Sequence, residues 1–424
     1  MKISCDVNVH HLARVEGHGN IRISIKDGKV KVAKWEVVET PRFFEAMLVG
    51  KHWENAPYIC GRICGICSIG HTLASIRAVE NAFGITPSPQ TEALRLLLKH
   101  METLQSHILH LYFLAAPDFL GTGSVLPLVK SHPEEVARAL RLKLLANDAC
   151  DLIGGRRLHP TRTVVGGFTM LPEKQQLAQI QQRLTECVPD LLAAGALFKT
   201  FSIPDFSRET EFVSLKGEDI YPFIGGDLVS TDGVLKKEDE YREMTNEYCQ
   251  PGFTSKLSRL SRKSFAVGAL ARLNNNFALL HPKAREISEI LGLSPVNHNP
   301  YMCNVAQLVE CVHVVFDSLR LIETMLDTPW QEVRQPVTIR KGVGVGAVEV
   351  PRGILYHYYE FDGQGKIKKA DCVIPTSQNH ANIHHDIDAL ARHYAKNGKK
   401  DQEIELLAEM LVRAYDPCIS CSVH

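Results

Sequence analysis

Arg62-Ile63-Cys64-Gly65-Ile66-Cys67-Ser68-Ile69-Gly70-His71 near the start of the chain and Asp416-Pro417-Cys418-Ile419-Ser420-Cys421-Ser422-Val423-His424 at its end each carry a Cys-x-x-Cys unit. Almost a whole chain separates the two units, so their four thiolates can serve one site only if the fold closes its N- and C-terminal parts together. Four thiolates suit zinc, an iron–sulfur cluster or another soft transition-metal centre. Zinc ribbons place their pairs about 15–20 residues apart, because there the metal substitutes for a small core. Here 45% of 424 residues are apolar, so a large core is available and a structural zinc clasp is the weaker reading. The last cysteine lies so close to the end that no further domain is expected beyond it.

Outward from the first pair the pattern is helical: Leu73, Ile76, Val79 and Phe83 share a face, and Gly84 ends the segment. Ser88-Pro89 caps a longer helix with Leu94, Leu97, Met101, Leu104, Ile108, Leu111 and Ala115 at helical spacing. Its Arg95, Lys99 and Glu102 assign it to a soluble bundle, not to a membrane. Further helices are expected around 134–153, 173–199, 234–249, 282–292 and 303–327. Upstream, Asn20 to Ile25 alternates, Asp27-Gly28 turns, and Val30 to Val38 returns as a hairpin. Strands reappear from Val337, with Ile354 to Phe361, a turn at Asp362-Gly363-Gln364-Gly365, and Ile367 to Ile374. A last amphipathic helix with Ile404, Leu407 and Leu411 stops at Asp416-Pro417. The expected fold class is mainly α (α+β), a large central helical bundle with small antiparallel sheets near both ends. One domain over 1–424 is expected: a β-rich part over 1–60, a mostly helical body over 61–330, and a C-terminal part over 331–424 with strands and the helix leading to the second pair.

Lys+Arg and Asp+Glu are equal at 48 each, so no net field argues for nucleic acid or an anionic membrane surface. No apolar run approaches the roughly 20 residues that span a bilayer, and Met1 to Asp6 lacks a secretory apolar stretch. Twelve cysteines in so long a chain are not a small-domain disulfide framework. Thiols kept for metal binding suggest a reducing compartment. Cys5, Cys60, Cys150, Cys187, Cys249, Cys303, Cys311 and Cys372 are scattered singly and read as ordinary thiols, with Cys60 a neighbour of the first pair. Gly342-Val343-Gly344-Val345-Gly346 looks like a nucleotide loop but lacks the strand–helix setting and the lysine. His100, His107 and His110 share a helix without the i, i+4 spacing of a helical zinc site, and read as packing residues.

The flanks of the two cysteine pairs resemble the two signatures of nickel–iron hydrogenase large subunits. The resemblance continues, in that family's order, through Arg14-Val15-Glu16-Gly17-His18, Pro41-Arg42-Phe43-Phe44-Glu45, Gly155-Arg156 with His159-Pro160, Val267 to Asn274, Pro351-Arg352-Gly353 and Cys372-Val373-Ile374-Pro375-Thr376. It implies that Cys64, Cys67, Cys418 and Cys421 bind nickel, with Cys67 and Cys421 also bridging to an iron that carries carbon monoxide and cyanide. It implies reversible heterolytic cleavage of dihydrogen, with Cys418 the first proton acceptor and Glu16 the next, a role that suits a carboxylate whose pKa burial can move. Arg352 would lie over the open side of the metals, oriented by Asp118 and Asp416. Pro375 and Thr376, or Ser377, would hold the cyanides, and His71 would back a bridging sulfur. Without these motifs Glu16 and Glu45 read as surface acids, Asp118 and Asp416 as helix-end acids, His71 as a packed histidine and His424 as a frayed end.

The resemblance further implies a magnesium-like ion (Mg2+ or Fe2+) held by Glu45, the Cys372 carbonyl and His424. Family members are cut after this histidine by a maturation endopeptidase, so the sequence looks like the mature form. Electrons must leave, and no further cysteine cluster here could hold them, so an iron–sulfur small subunit is implied as partner. Pro375-Thr376-Ser377-Gln378-Asn379-His380 departs from the Pro-Thr-Thr-Trp-Asn of respiratory uptake enzymes. It looks more like the soluble cytoplasmic group, whose diaphorase-type partners bind flavin and pass electrons to NAD(P) or ferredoxin. Alternatives are a regulatory hydrogen sensor with the same site, or a non-catalytic, zinc-clasped electron-transfer subunit.

Overall fold

The computed structural model describes residues 4–251, 253–330, 334–397 and 400–424. Its first sheet is the expected hairpin with one strand more. Strands Cys5–Val9 (β1), Gly19–Lys26 (β2) and Lys29–Val37 (β3) pair antiparallel in that order, with Asp27-Gly28 at the turn. Ile21, Ile23 and Ile25 point inward from β2, the two-residue period of a half-buried strand. β1 shows the same alternation over only five residues, too short to stand out.

The long helices of the body are Ser68–Phe83 (α1), Pro89–Leu109 (α2), Pro133–Gly154 (α3), Lys174–Lys199 (α4) and Cys303–Asp327 (α5). Ser88 caps α2 by accepting from the Thr91 N–H at 3.2 Å. α2 packs on α3 and α5, and α5 packs on α4. The charges of α2 do not form a wet face. Arg95 forks onto Glu80 at 2.8 and 2.9 Å, Lys99 meets Glu102 at 2.8 Å, and all four side chains are buried.

Two expectations need correction. A four-stranded sheet comes from the middle of the chain: Glu211–Leu215 (β4), Leu228–Ser230 (β5), Leu235–Lys236 (β6) and Phe265–Ala266 (β7), in the order β6-β5-β4-β7 with β4 and β7 parallel. And 234–249 is not one helix. Leu235 pairs with Val229 in the sheet, one helical turn forms over Tyr241–Thr245, and Asn246 stops it in the left-handed conformation at φ 37°.

The third sheet, Gly342–Val350 (β8), Gly353–Phe361 (β9) and Ile367–Val373 (β10), runs antiparallel in that order. Its glycine run is a packing surface. Ala74, Ala78 and Ala82 recur every four residues on α1, and Gly346, Gly344 and Gly342 every two on β8. Four helical residues advance about 6 Å and two strand residues about 6.6–6.8 Å, so the two stripes stay in step. A Cβ at Gly344 would lie 2.0 Å from the Ala78 carbonyl oxygen, and one at Gly346 2.1 Å from that of Ala74.

After the third sheet come Pro375–Asn397 (α6) and Asp401–Ala414 (α7), and then the single turn Ile419–Ser422. Helix α7 was expected. Helix α6 escaped the hydrophobic period because much of its inward face is polar: Gln378, Asn379, His380, Asn382 and Asp386 are all buried. Among the described residues no helix is long and apolar enough to cross a membrane.

Candidate metal centre

The chain ends meet through main-chain pairing that the cysteine spacing alone does not specify. Glu16 and Cys418 form a parallel bridge, and the Ile419 N–H donates to the Glu16 carbonyl at 2.9 Å. Gly17, at φ 83°, allows this approach, since a Cβ there would lie 2.8 Å from both Ile419 Cβ and Ser420 N. Arg42 staples both cysteine loops. Its Nη2 donates to the Ile63 carbonyl at 2.7 Å and the Ser420 carbonyl at 2.6 Å, and its N–H to the Val423 carbonyl at 2.7 Å. Nothing in the Pro41-Arg42-Phe43-Phe44-Glu45 stretch by itself marks Arg42 for this role.

All four cysteines of the two pairs are buried and converge. Cys64 Sγ lies 3.7 Å from Cys418 Sγ, and the sulfurs of Cys64, Cys67 and Cys421 lie within 4.8 Å of one another. Two thiolates at about 2.3 Å from one tetrahedral ion stand about 3.7 Å apart, so the donor set fits a soft metal. The Cys418 and Cys421 sulfurs lie in direct contact and complete the cluster. Burial raises the Cys64 thiol, but the Cys67 side chain, the Arg352 charge and the N–H groups of Cys67 and Ile66 bring it below its ordinary value.

Glu16 has its carboxylate within 4.8 Å of the Cys418 and Cys421 sulfurs, held by the Ser420 N–H at 3.1 Å and by the Ser420 hydroxyl. Arg352 Nη2 bonds Asp416 at 2.8 Å and Nη1 approaches Ser106 Oγ at 3.4 Å. Burial lowers the arginine's pKa, yet Asp416, then Cys67, Cys64 and Glu16, carry it above its usual value. Asp118 is not beside Arg352, contrary to expectation. Its carboxylate binds Arg413 at 2.7 and 2.9 Å and also Arg14, and Ser106 of α2 takes the place next to Arg352. Thr376, following Pro375 at the start of α6, accepts from the Cys418 N–H at 3.0 Å, whereas the Ser377 hydroxyl donates to the Ile374 carbonyl at 2.7 Å. His71 Nδ1 lies 3.2 Å from His357 Nε2, and its own Nε2 is buried without a partner among the described residues.

A family model described as nickel-dependent hydrogenase matches residues 42–138 and 236–424, and one described as HoxL-like matches residues 6–40. The chain is 36% identical to sulfhydrogenase 1 subunit alpha of Pyrococcus furiosus, over 99% of this chain and 97% of that one. It is 31% identical to sulfhydrogenase 2 subunit alpha of the same organism, over 99% and 98%. The chain belongs to the nickel-dependent hydrogenase family. The crystal structure of an NAD+-reducing [NiFe]-hydrogenase in the H2-reduced state superposes with a TM-score of 0.90 at 27% identity, covering 99% of both chains. The protein is therefore a hydrogenase with the mainly α large-subunit fold.

At the C-terminus of this hydrogenase, His424 Nε2 lies 3.5 Å from Glu45 Oε1, and Glu45 accepts from the Cys372 N–H at 3.0 Å. Sequence reasoning missed three neighbours. Lys256 Nζ sits 3.1 Å from Glu45, 3.2 Å from Glu247 and 3.8 Å from Asp371. Burial raises Glu45, but His424, Lys256 and the Cys372 N–H outweigh it and hold the carboxyl well below the usual range. Arg242 also holds Asp371, at 3.0 Å, so three carboxylates against two cations leave one surplus negative charge, and Glu247 Oε1 and His424 Nε2 are both buried without hydrogen-bond partners among the described residues. That donor set fits a hard divalent cation with one imidazole. No short motif marks Glu247 or Lys256, so only the folded chain could reveal them.

Proposed function

We propose that this chain is the catalytic subunit of a multi-subunit hydrogenase that cleaves dihydrogen reversibly and heterolytically at a Ni-Fe(CO)(CN)2 centre held by Cys64, Cys67, Cys418 and Cys421. The observation that carries this reading is the convergence of the four buried sulfurs with Arg352 and Glu16 around them. When bound, the nickel–iron centre supplies the Lewis-acid and redox chemistry that polarises dihydrogen and takes its electrons. Cys64, Cys67, Cys418 and Cys421 would hold that centre through their sulfurs. Arg352, fixed by Asp416 and Ser106, offsets thiolate charge and orients substrate on the open side. Cys418 Sγ holds the released proton first and passes it to the Glu16 carboxylate, which Ser420 aims. Thr376 and Pro375 line the place where the iron's cyanides would sit, and His71 backs a bridging sulfur. A divalent ion at Glu45, His424 and the Cys372 carbonyl would lock the tail over the site. Electrons leave to an iron–sulfur small subunit and from there to NAD(P) or ferredoxin, as the NAD+-reducing structural relative suggests. A cytoplasmic location goes with that assembly.

The test is an infrared spectrum of the complex, purified without air from its own host. One carbonyl and two cyanide bands that shift under hydrogen are expected. A blank window with zinc in the four-cysteine site would reduce the cysteines to a structural clasp.

A further inference from the structure

Cys60 and the side chains of His357 and Cys372 have no part in the reading above. They meet between the end of the short helix Ala56–Cys60 and strands β9 and β10, each fully buried. Their ligand atoms lie within 4.8 Å of one another. Cys372 Sγ is 3.5 Å from His357 Nδ1, and Tyr359 Oη is 3.0 Å from both His357 Nδ1 and Cys60 Sγ. Donors set about 2.0–2.3 Å from one tetrahedral ion stand about 3.3–3.8 Å apart. The Cys372–His357 separation falls in that range and the two Tyr359 separations, at 3.0 Å, fall just short of it, so an outward shift of a few tenths of an ångström would seat an ion.

We propose that this cluster is a second, structural metal site that takes one zinc ion through Cys60 Sγ, Cys372 Sγ and His357 Nδ1, with Tyr359 Oη as the fourth donor. Binding releases the two thiol protons to solvent, and two thiolates then balance the ion's two positive charges, so the buried site is neutral. Tyr359 stays protonated and donates to Ser75 Oγ at 2.8 Å. With Nδ1 on the metal, His357 carries its proton on Nε2 and donates it to His71 Nδ1, 3.2 Å away. Partners of this kind orient metal-bound imidazoles. His71 must then carry its own proton on Nε2, and so becomes a donor one helical turn beyond Cys67. The ion would thus tie the segment leading into Cys64 to the third sheet and set the donor form of the histidine behind the first cysteine pair.

Metal counting on the nickel-loaded, anaerobically purified complex tests this. One zinc per large subunit is expected beyond the nickel, and Cys60→Ala should lose that zinc while keeping the nickel. The zinc-edge absorption spectrum of the unmodified complex reads the site without relying on a variant's folding. It should show two sulfurs at about 2.3 Å and two nitrogen or oxygen neighbours. No stoichiometric zinc in nickel-loaded complex, zinc that survives Cys60→Ala, a four-sulfur zinc shell, or a Cys60–Cys372 disulfide in non-reducing peptide maps each overturns the proposal.

Discussion

Ser420 presents its N–H and its hydroxyl to one carboxylate, that of Glu16, so the proposed proton acceptor is held by the loop whose sulfurs it would serve. Glu16→Gln keeps an acceptor oxygen for Ser420 but cannot carry a proton. Nickel and iron content should be unchanged, while exchange of dihydrogen with solvent deuterium slows by about 100- to 10,000-fold. Unchanged exchange removes Glu16 from the proton path. Arg352 spans Asp416 and Ser106 with separate nitrogens, a geometry that needs the planar fork. Arg352→Lys should give folded, metallated protein whose turnover falls up to about 100-fold; near-normal turnover makes the arginine structural. The mistaken pairing of Asp118 belongs to this scale too. The resemblance implied an acid at Asp118 beside Arg352, but Arg413 and Arg14 take that carboxylate, and the neutral Ser106 carries no sequence signal.

At the scale of elements, α1 and β8 depend on matched stripes of small residues. Gly344→Ala would push a methyl group into the Ala78 carbonyl, which is backbone and cannot swing aside. Overpacking of this kind costs about 1–3 kcal/mol, so the denaturant midpoint should fall measurably, and an unchanged midpoint would show that the sheet can slide. Legibility here followed apolar period. α3, α4 and α5 were legible almost to their ends because their buried faces are mostly apolar, and α2 was legible from Leu94, Leu97, Met101, Leu104 and Ile108 although Arg95, Lys99, Glu102 and His107 are buried beside them. α6 was not read, because Gln378, Asn379 and His380 replace apolar residues in its buried face, and hydrogen bonds rather than hydrophobic contact seat them.

Across the whole molecule, closure of the tail runs through His380. The Trp35 indole N–H donates to its Nδ1 at 3.0 Å, and its Nε2 meets Ser422 Oγ at 2.9 Å, so one histidine joins the first sheet, α6 and the C-terminal turn. Burial lowers its pKa from 6.5 to about 3. Above pH 6.5 the histidine is neutral whether the chain is folded or not, and its contribution to stability is complete. Below pH 6.5 the unfolded chain takes up a proton that the folded one refuses, so stability falls by up to about 1.4 kcal/mol per pH unit towards pH 3. His380→Gln should flatten the slope of unfolding free energy between pH 6 and 4, measured by denaturant titration. An equal slope in the variant would assign the acid sensitivity to other groups.

The sequence by itself determined the helical body, the N-terminal hairpin, the C-terminal strands and the donor identity of the centre. Apolar period, turn residues and Cys-x-x-Cys pairs are properties of near neighbours and survive in a linear reading. Only the tertiary structure decided that Cys64 and Cys418, 354 positions apart, come within 3.7 Å. It also decided that Arg42 holds both loops, that Ser106 and not Asp118 adjoins Arg352, and that Glu247 and Lys256 surround His424. Those contacts are made by single side chains and main-chain groups from distant segments. Their partners are set by how the sheets and helices close on one another, which no local pattern encodes.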